Sequence, residues 1–420
     1  MSGDLLKYRW ILTRIPKSQS RRIVLLTGAR QTGKTTLARQ YYSNLNYISM
    51  DAIENRESVA QLRSALWGQT IGNAVIDEAQ KAPIIFEKVK YAFDQGDIDF
   101  TVLTGSSRVL LMDNVRETLA GRVFVFELWP LMASEIRSSF DQPPERPLLD
   151  RCLQSDLQLS RLFASEPEIA LGEQEEQRIF AIRHLQRWGG MPELLRLSDD
   201  DRKEWLRSYQ QTFLERDLRD LANIHDLTPF RKLQRLAMLR SGGLLSYSEL
   251  ARDAGISVDT SRRYLEYCRM SYQVLILPPF SRNLTSQVVK TPKIYWLDLG
   301  LLRQGTFQWG PMTGHMFETL ALGEVNKWIS TMACDAEMTF YRTRSGMEVD
   351  LLIRTPAGIL GIEIKNRDIL HQKDMKNLKI LAAVLGREWR GGMVVYRGNR
   401  LYRMSDSTDI WAVPIHRLAG

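Results

Sequence analysis

The apolar run Ile23-Val24-Leu25-Leu26, the octapeptide Gly28-Ala29-Arg30-Gln31-Thr32-Gly33-Lys34-Thr35 and a helical stretch from Thr35 to Tyr42 follow one another almost without a gap. A buried strand that turns at once into a helix points to a parallel α/β sheet with helical crossovers. The octapeptide fits G-x-x-x-x-G-K-[ST] in full, and each position has a task. Backbone N–H groups from Gly28 to Gly33 cradle phosphates, Lys34 reaches the β- and γ-phosphates, and Thr35, followed by Thr36, completes a Mg2+ shell. The helix N-terminus draws anions to the same place. The expected ligand is a nucleoside triphosphate, ATP, with Mg2+.

A second apolar strand, Ala74-Val75-Ile76, ends in Asp77-Glu78 about forty residues after the loop. A carboxylate there can order the metal through water, which is the expected task of Asp77. Its neighbour Glu78 can orient or deprotonate the attacking water, so hydrolysis is expected rather than binding alone. A third run, Phe100 to Thr104, opens into Gly105-Ser106-Ser107-Arg108, a polar tip in which Ser106 could sense the γ-phosphate.

At 420 residues the chain has room for roughly three domains. Hydrophobic residues at 44% and charged residues at 25% match a folded soluble protein. The sequence shows neither an apolar stretch of membrane-spanning length nor the apolar core of a signal peptide near Met1 to Trp10, so a cytoplasmic protein without a membrane partner is expected. Cys152, Cys268 and Cys334 lie too far apart for a zinc ribbon, and the five histidines form no metal-binding spacing. A net charge of +8 and a pI near 9.3 leave an anionic partner open.

Residues 1–140 read as the nucleotide-binding core, and 141–177, acidic and marked by Gln142-Pro143-Pro144-Glu145-Arg146-Pro147, as a linker or insertion. Residues 178–240 have helical spacing, broken at Trp188-Gly189-Gly190-Met191-Pro192, and read as a helical lid. In 241–305, a short helix from Ser246, a turn at Gly255, a helix capped by Ser257 and the strand-like Val274 to Leu277 suggest a winged helix-turn-helix. Residues 231–269 hold eight Lys/Arg against four Asp/Glu, with Arg262 and Arg263 on the second helix as candidate DNA contacts. A helical spacer with a solvated basic face is the alternative.

Residues 306–420 carry the other chemically loaded stretch. Gly346 to Arg354, Thr355-Pro356-Ala357-Gly358 and Ile359 to Lys365 make two apolar strands around a turn with Pro at its second and Gly at its fourth position. Pairing Thr355 with Gly358 sets Asp350 opposite Glu363 and puts Glu348, Asp350, Glu363 and Lys365 on one face. Opposed carboxylates repel unless something positive lies between them. A divalent cation on Asp350 and Glu363, Mg2+ or Mn2+, would resolve that, with Lys365 beside the water or scissile phosphate. The alternative is a solvent-facing hairpin of alternating charges.

The segments GARQTGKTT, VIDEAQKAP and LTGSSRVLL, with Leu119-Ala120-Gly121-Arg122, resemble a widespread prokaryotic group of AAA-type (AAA+) P-loop ATPases. The C-terminal region is similar to the PD-(D/E)XK nuclease superfamily, onto whose motif Glu318, Asp350, Glu363 and Lys365 map, with Glu348 accessory. The resemblance implies an α/β fold: an AAA+ core with helical lid, a winged helix-turn-helix and a restriction-endonuclease-like C-terminal domain. It further implies self-association into a ring, expected as a hexamer, with Arg108 or Arg122 reaching the neighbour's ATP. Ser106 replaces the Asn that AAA proteins often use as sensor. The expected function is an oligomeric Mg-dependent ATPase that binds and remodels DNA, branched DNA included, with a potential nuclease site. The alternative is a regulatory or signalling ATPase, a toxin-antitoxin or defence component, whose C-terminal domain is an inactive platform.

Overall fold

The structure, a computed structural model, describes residues 6–106, 111, 112, 115, 117–222, 226–281 and 291–420. The first sheet is wholly parallel: β1 (Arg22–Thr27), β2 (Asn46–Ser49), β3 (Ala74–Asp77), β4 (Phe100–Gly105) and β5 (Val123–Glu127), in the order β2-β3-β4-β1-β5. Parallel neighbours require crossovers, two of which are α1 (Lys34–Tyr41) and α2 (Ile84–Gln95). Separate apolar clusters cover the two faces of this sheet, one around Ile23, Leu25 and Ile76, the other around Val24, Leu26 and Val75. Burial on both sides is why its central strands are unbroken apolar runs.

Helices α3 (Glu173–Trp188), α4 (Asp199–Ala222) and α5 (Thr228–Leu239) follow. The break read at Trp188-Gly189 falls where α3 stops. Gly189 has φ +81°, and a Cβ there would lie 2.2 Å from the Asp298 carboxylate, so both conformation and space demand glycine.

A small sheet comes next, made of β6 (Gly243–Leu244), β7 (Val274–Leu277) and β8 (Lys293–Trp296) in the order β6-β8-β7. Between β6 and β7 lie α6 (Tyr247–Ala254) and α7 (Val258–Met270), capped by the Ser246 and Ser257 side chains and joined through Gly255 at φ +75°. Helix α8 (Leu299–Thr306) leads to the C-terminal unit.

That unit holds α9 (Gly314–Met332), β9 (Glu337–Arg342), β10 (Glu348–Thr355), β11 (Gly358–Lys365), α10 (Lys376–Leu385), β12 (Trp389–Tyr396), β13 (Tyr402–Ser405) and β14 (Ile410–Pro414). The sheet order is β13-β14-β12-β11-β10-β9. The β10–β11 register runs from Thr355↔Gly358 to Leu351↔Ile362, as the Pro-containing turn predicts. Alternate residues serve two cores, Leu351 and Ile353 on the α9 side, Val349 and Leu352 on the α10 side.

Residues 141–177 are not a free linker. Leu148, Leu149 and Cys152 are buried in the same cluster as α3, α9 and the C-terminal sheet. The Arg390 guanidinium donates to the Cys152, Ser155 and Leu157 carbonyls, and Arg417 pairs with Glu166 at 2.6 Å. Short, Pro-interrupted segments carry too little periodicity to advertise such docking. Among the described residues no helix is long and apolar enough to cross a membrane.

His184, on α3, is buried with its Nε2 unpartnered, and burial pushes its imidazole down to about 4. The folded state therefore favours the neutral ring, so this contribution is complete above the unfolded value near 6.5 and is lost as pH falls towards 4. Urea unfolding at pH 8 and pH 5 should show about 2 kcal/mol more loss in the parent protein than in His184→Leu. Equal losses in both would exclude a buried neutral ring.

Candidate functional site

The sheet register gathers the first site at one end. Thr27, the last residue of β1, stands beside Gly105 of β4 and Glu127 of β5, so the phosphate loop opens between two strand tips. Gly28 has φ +152°, and a Cβ there would come within 2.2 Å of the Leu128 carbonyl oxygen, so only glycine lets the loop pass β5. Gln31 (φ +64°) and Gly33 (φ +95°) take left-handed conformations, and Thr32 Oγ1 donates to the Ala29 carbonyl at 2.8 Å. The Lys34 ammonium lies over the loop, donating to the carbonyls of Gly28 (3.0 Å) and Ala29 (2.8 Å).

One carboxylate organises the catalytic end. Asp77 Oδ2 accepts from Thr35 Oγ1 at 2.8 Å and from the Tyr47 hydroxyl at 2.7 Å, while Oδ1 accepts from Thr104. Thr35 and Asp77 thus present two hard oxygens side by side, the donor set Mg2+ takes when it keeps most of its other ligands as water and phosphate. Glu78 follows in a left-handed conformation (φ +54°) and accepts from Gln80 Nε2 at 2.5 Å. Burial, only partly opposed by Lys34, pushes its carboxyl above the usual range, which suits a group that orients and accepts a proton from water. Tyr47 and Thr104 escape a linear reading because their place depends on β2 and β4 flanking β3.

Ser106 is buried at the tip of β4, next to that site. Arg108 lies outside the described residues. Arg122 is far from its own phosphate loop: it precedes Val123, which pairs with Ile23 at the opposite end of β1, and Asp94 holds its guanidinium at 2.7 and 3.1 Å. Beside the loop an open pocket of about 150 Å³ is lined by Lys7, Thr36, Leu37, Gln40, Pro192 and Leu195, bringing α1, the chain start and the turn after α3 together. Arg9, absent from the motif reading, is buried beneath it; it donates to Thr32 O at 2.8 Å and to Trp129 O and pairs with Glu135 at 3.1 Å. From the helical side Tyr209 donates to Arg30 O at 3.3 Å, and Tyr272 to Thr27 Oγ1 at 3.3 Å.

The second constellation lies in the C-terminal unit. Between Val349↔Tyr341 and Leu352↔Thr339 the register of β10 on β9 shifts, so Asp350 sits at a bulge, a device that re-aims side chains. Its Oδ2 accepts from the Ile364 N–H at 2.7 Å. Glu363 is buried; Lys365 donates to its Oε2 at 2.6 Å and stands 3.8 Å from Asp350. Burial and then the Asp350 charge push Glu363 up to about 8; protonated, it hydrogen-bonds Asp350, and ionised, its Oε1 has no donor. Glu318 is held by Lys293 at 3.0 Å and by the Tyr295 hydroxyl at 2.6 Å, and Glu348 pairs with Lys293 and with Arg342 at 3.3 Å. The positive charge that opposed carboxylates require is thus supplied by lysines, one of them, Lys293, not foreseen.

Among the described residues no group of three or more Asp, Glu, His or Cys could hold a metal. The orphan Glu363 Oε1 beside Asp350 still fits one hard ion with two protein carboxylates, Mg2+ or Mn2+. Arg262 and Arg263 are exposed on α7, their guanidiniums over the rings of Tyr247 (5.3 Å) and Tyr264 (5.9 Å).

Residues 20–137 match the family model of an AAA domain, residues 180–307 a domain of unknown function (DUF8612) and residues 313–418 another domain of unknown function (DUF4143). Uncharacterized proteins of Mycobacterium tuberculosis and Mycobacterium bovis are each 28% identical over 408 residues, covering 94% of this chain and 80% of theirs. Among solved structures, the Walker-type ATPase PABY2304 of Pyrococcus abyssi is 16% identical over 67% of this chain and 90% of that one, with a TM-score of 0.41. The ORC2 protein of Aeropyrum pernix in its ADP form is 10% identical over 68% and 86%, with a TM-score of 0.29. With the loop, Asp77 and Glu78 assembled on a parallel sheet, the N-terminal unit is an AAA-type ATPase domain.

Lys34→Ala and Asp77→Asn should each lower ATP turnover by about 100-fold or more, because each removes charge placed for the transition state. Tyr47→Phe takes one of three donors from Asp77 and should cost about fivefold in kcat. Steady-state phosphate release checks the order; a Tyr47→Phe loss as large as that of Asp77→Asn would mean Tyr47 itself acts in the chemistry.

Proposed function

We propose that this chain is an oligomeric, Mg-dependent ATPase that acts on DNA, branched DNA included, using hydrolysis to rearrange the units that hold it. The observation that carries the DNA part is the pair Arg262 and Arg263, exposed on the second of two short helices that we read as a winged helix-turn-helix, in a chain of net charge +8. Guanidiniums laid over tyrosine rings are preorganised for phosphate oxygens and give affinity rather than sequence choice.

At the ATP site, bound Mg2+ would neutralise phosphate charge, held by Thr35 and, through water, Asp77. Lys34 would exchange its loop carbonyls for phosphate oxygens, Glu78 would orient the attacking water and receive its proton, and Ser106 would contact the γ-phosphate. The pocket between Thr36, Leu37 and Leu195 suits the base. In a ring, proposed as a hexamer, Arg122 would leave Asp94 for the neighbour's phosphate, or Arg108 would serve instead.

At the C-terminal site, which we read as nuclease-like, Asp350 and Glu363 would hold the ion and Lys365 would sit beside the attacking water. A second reading, an inactive platform in a regulatory ATPase, is favoured by the lysines that already pair Glu363, Glu318 and Glu348. Metal-dependent cleavage lost in Asp350→Ala supports the first reading; no cleavage of any DNA by the parent supports the second.

ATP turnover measured with linear, single-stranded and four-way DNA should rise on binding. Arg262→Ala with Arg263→Ala should weaken binding to all sequences alike and reduce the salt slope by about 2. Turnover indifferent to DNA, together with no binding at low salt, would overturn the DNA reading and leave the ATPase standing.

A further inference from the structure

Helix α7 ends in a Schellman turn: the Tyr272 N–H donates to the Arg269 carbonyl at 3.1 Å and the Gln273 N–H to the Cys268 carbonyl at 3.0 Å. Tyr272 is left-handed there, with φ +64°. Helix ends of this kind ordinarily place glycine at that position, because a Cβ is strained in that conformation. A bulky aromatic in its place is an outlier, and such outliers persist where the surroundings over-determine them.

The surroundings of the side chain account for the exception. Tyr272 is 4% exposed, and with Ala29 and Trp129 it forms a small apolar core of its own, separate from the larger cluster that holds the rest of α7. Its ring meets Trp129 edge-on, at 5.0 Å and 89°. Leu297, just beyond β8, packs against this core, and its N–H donates to the Gln273 carbonyl at 2.9 Å. Ala29 is the second residue of the phosphate loop, and its carbonyl accepts from Lys34 at 2.8 Å. The Tyr272 hydroxyl lies 3.3 Å from Thr27 Oγ1 and 3.5 Å from Glu127 Oε1, at the paired strand ends that flank the start of the loop.

We propose that Tyr272 is a positioning residue for the phosphate loop: its ring, delivered by the end of α7, backs Ala29 and holds the first turn of the loop in the form that receives phosphate. It acts through Ala29 and Trp129, so it is not a catalytic residue. A loop already held in its binding form has less ordering to do when nucleotide arrives, which favours affinity. Arg262 and Arg263 lie on the same helix, so the unit proposed to meet DNA is also the one that braces the ATP site. The inference rests on reading this loop as the ATP site, and on neither DNA binding nor cleavage.

Isothermal titration of the full chain with Mg2+ and the non-hydrolysable analogue AMP-PNP tests it, with Tm measured alongside. Tyr272→Gly, which removes the ring while suiting the left-handed backbone, should weaken binding by about tenfold or more, whereas Tyr272→Phe, which keeps the ring, should stay within about threefold of the parent. Phe230→Leu is the control: it takes a buried ring from the core of the same unit, where Phe230 meets Tyr264 at 5.1 Å, and should lower Tm without changing affinity. If Tyr272→Gly fails to fold, Tyr272→Leu, which keeps apolar bulk but not the edge-on ring, should show the loss instead. Parent-like binding in the folded ring-less variant, or an equal loss in Phe230→Leu, would overturn the proposal. A parent that does not bind the analogue would overturn the ATP-site reading and this inference with it.

Discussion

The backbone leaving β5 is the constraint on which the molecule turns. Leu128 N–H donates to Thr27 O at 2.8 Å, fixing this segment against the start of the phosphate loop, where Gly28 alone can pass. Trp129 O accepts from Arg9, which also holds Thr32 O. Leu131 N–H donates to Gly190 O at 2.7 Å, and Leu131 O accepts from Lys327 at 3.1 Å. Ala133 N–H donates to Glu324 at 2.8 Å. Four residues, Leu128, Trp129, Leu131 and Ala133, thus touch the nucleotide loop on one side and the turn after α3 and helix α9 on the other. Buried backbone groups so committed cannot move independently, because each broken bond leaves an unsatisfied group costing about 1–3 kcal/mol.

The apolar cores reinforce that arrangement. The parallel sheet has its own clusters, whereas one continuous cluster runs from Trp10 and Leu131 through α3, α5 and α7 into α9 and the C-terminal sheet. The chain is therefore an ATPase sheet bound to a single larger body rather than beads on a string. Segment 141–177 helps by laying Leu148, Leu149 and Cys152 into that body. One buried cluster therefore runs without a break from the β5 exit to the small sheet and the C-terminal sheet among the described residues.

What could be read from the linear sequence was what is local. The phosphate loop, Asp77-Glu78, the α3 stop at Gly189, the Ser257 cap and the 355–358 turn each declare themselves within a few residues, because glycine conformation, capping and turn chemistry act at short range. What stayed hidden is non-local. Tyr47 and Thr104 reach Asp77 through the strand order, Arg9 reaches Thr32 and Trp129 across the loop, and Lys293 reaches Glu318 from another sheet. The bulge at Asp350 was equally invisible, since it is a mismatch between two strands and belongs to neither alone.

Two sites built on opposite principles are joined by this frame. At the first, three hydroxyls share one carboxylate; at the second, ammoniums sit among carboxylates. A frame of this kind would carry the nucleotide state through the β5 exit, which amide hydrogen exchange can read residue by residue. Comparing the non-hydrolysable ATP state with the ADP state, the amides of Leu131, Ala133 and Gly190 should change protection together by about tenfold or more, a shift of at least about 1.4 kcal/mol in local opening. Protection at these amides that is identical in both states, with both nucleotides bound, would contradict it.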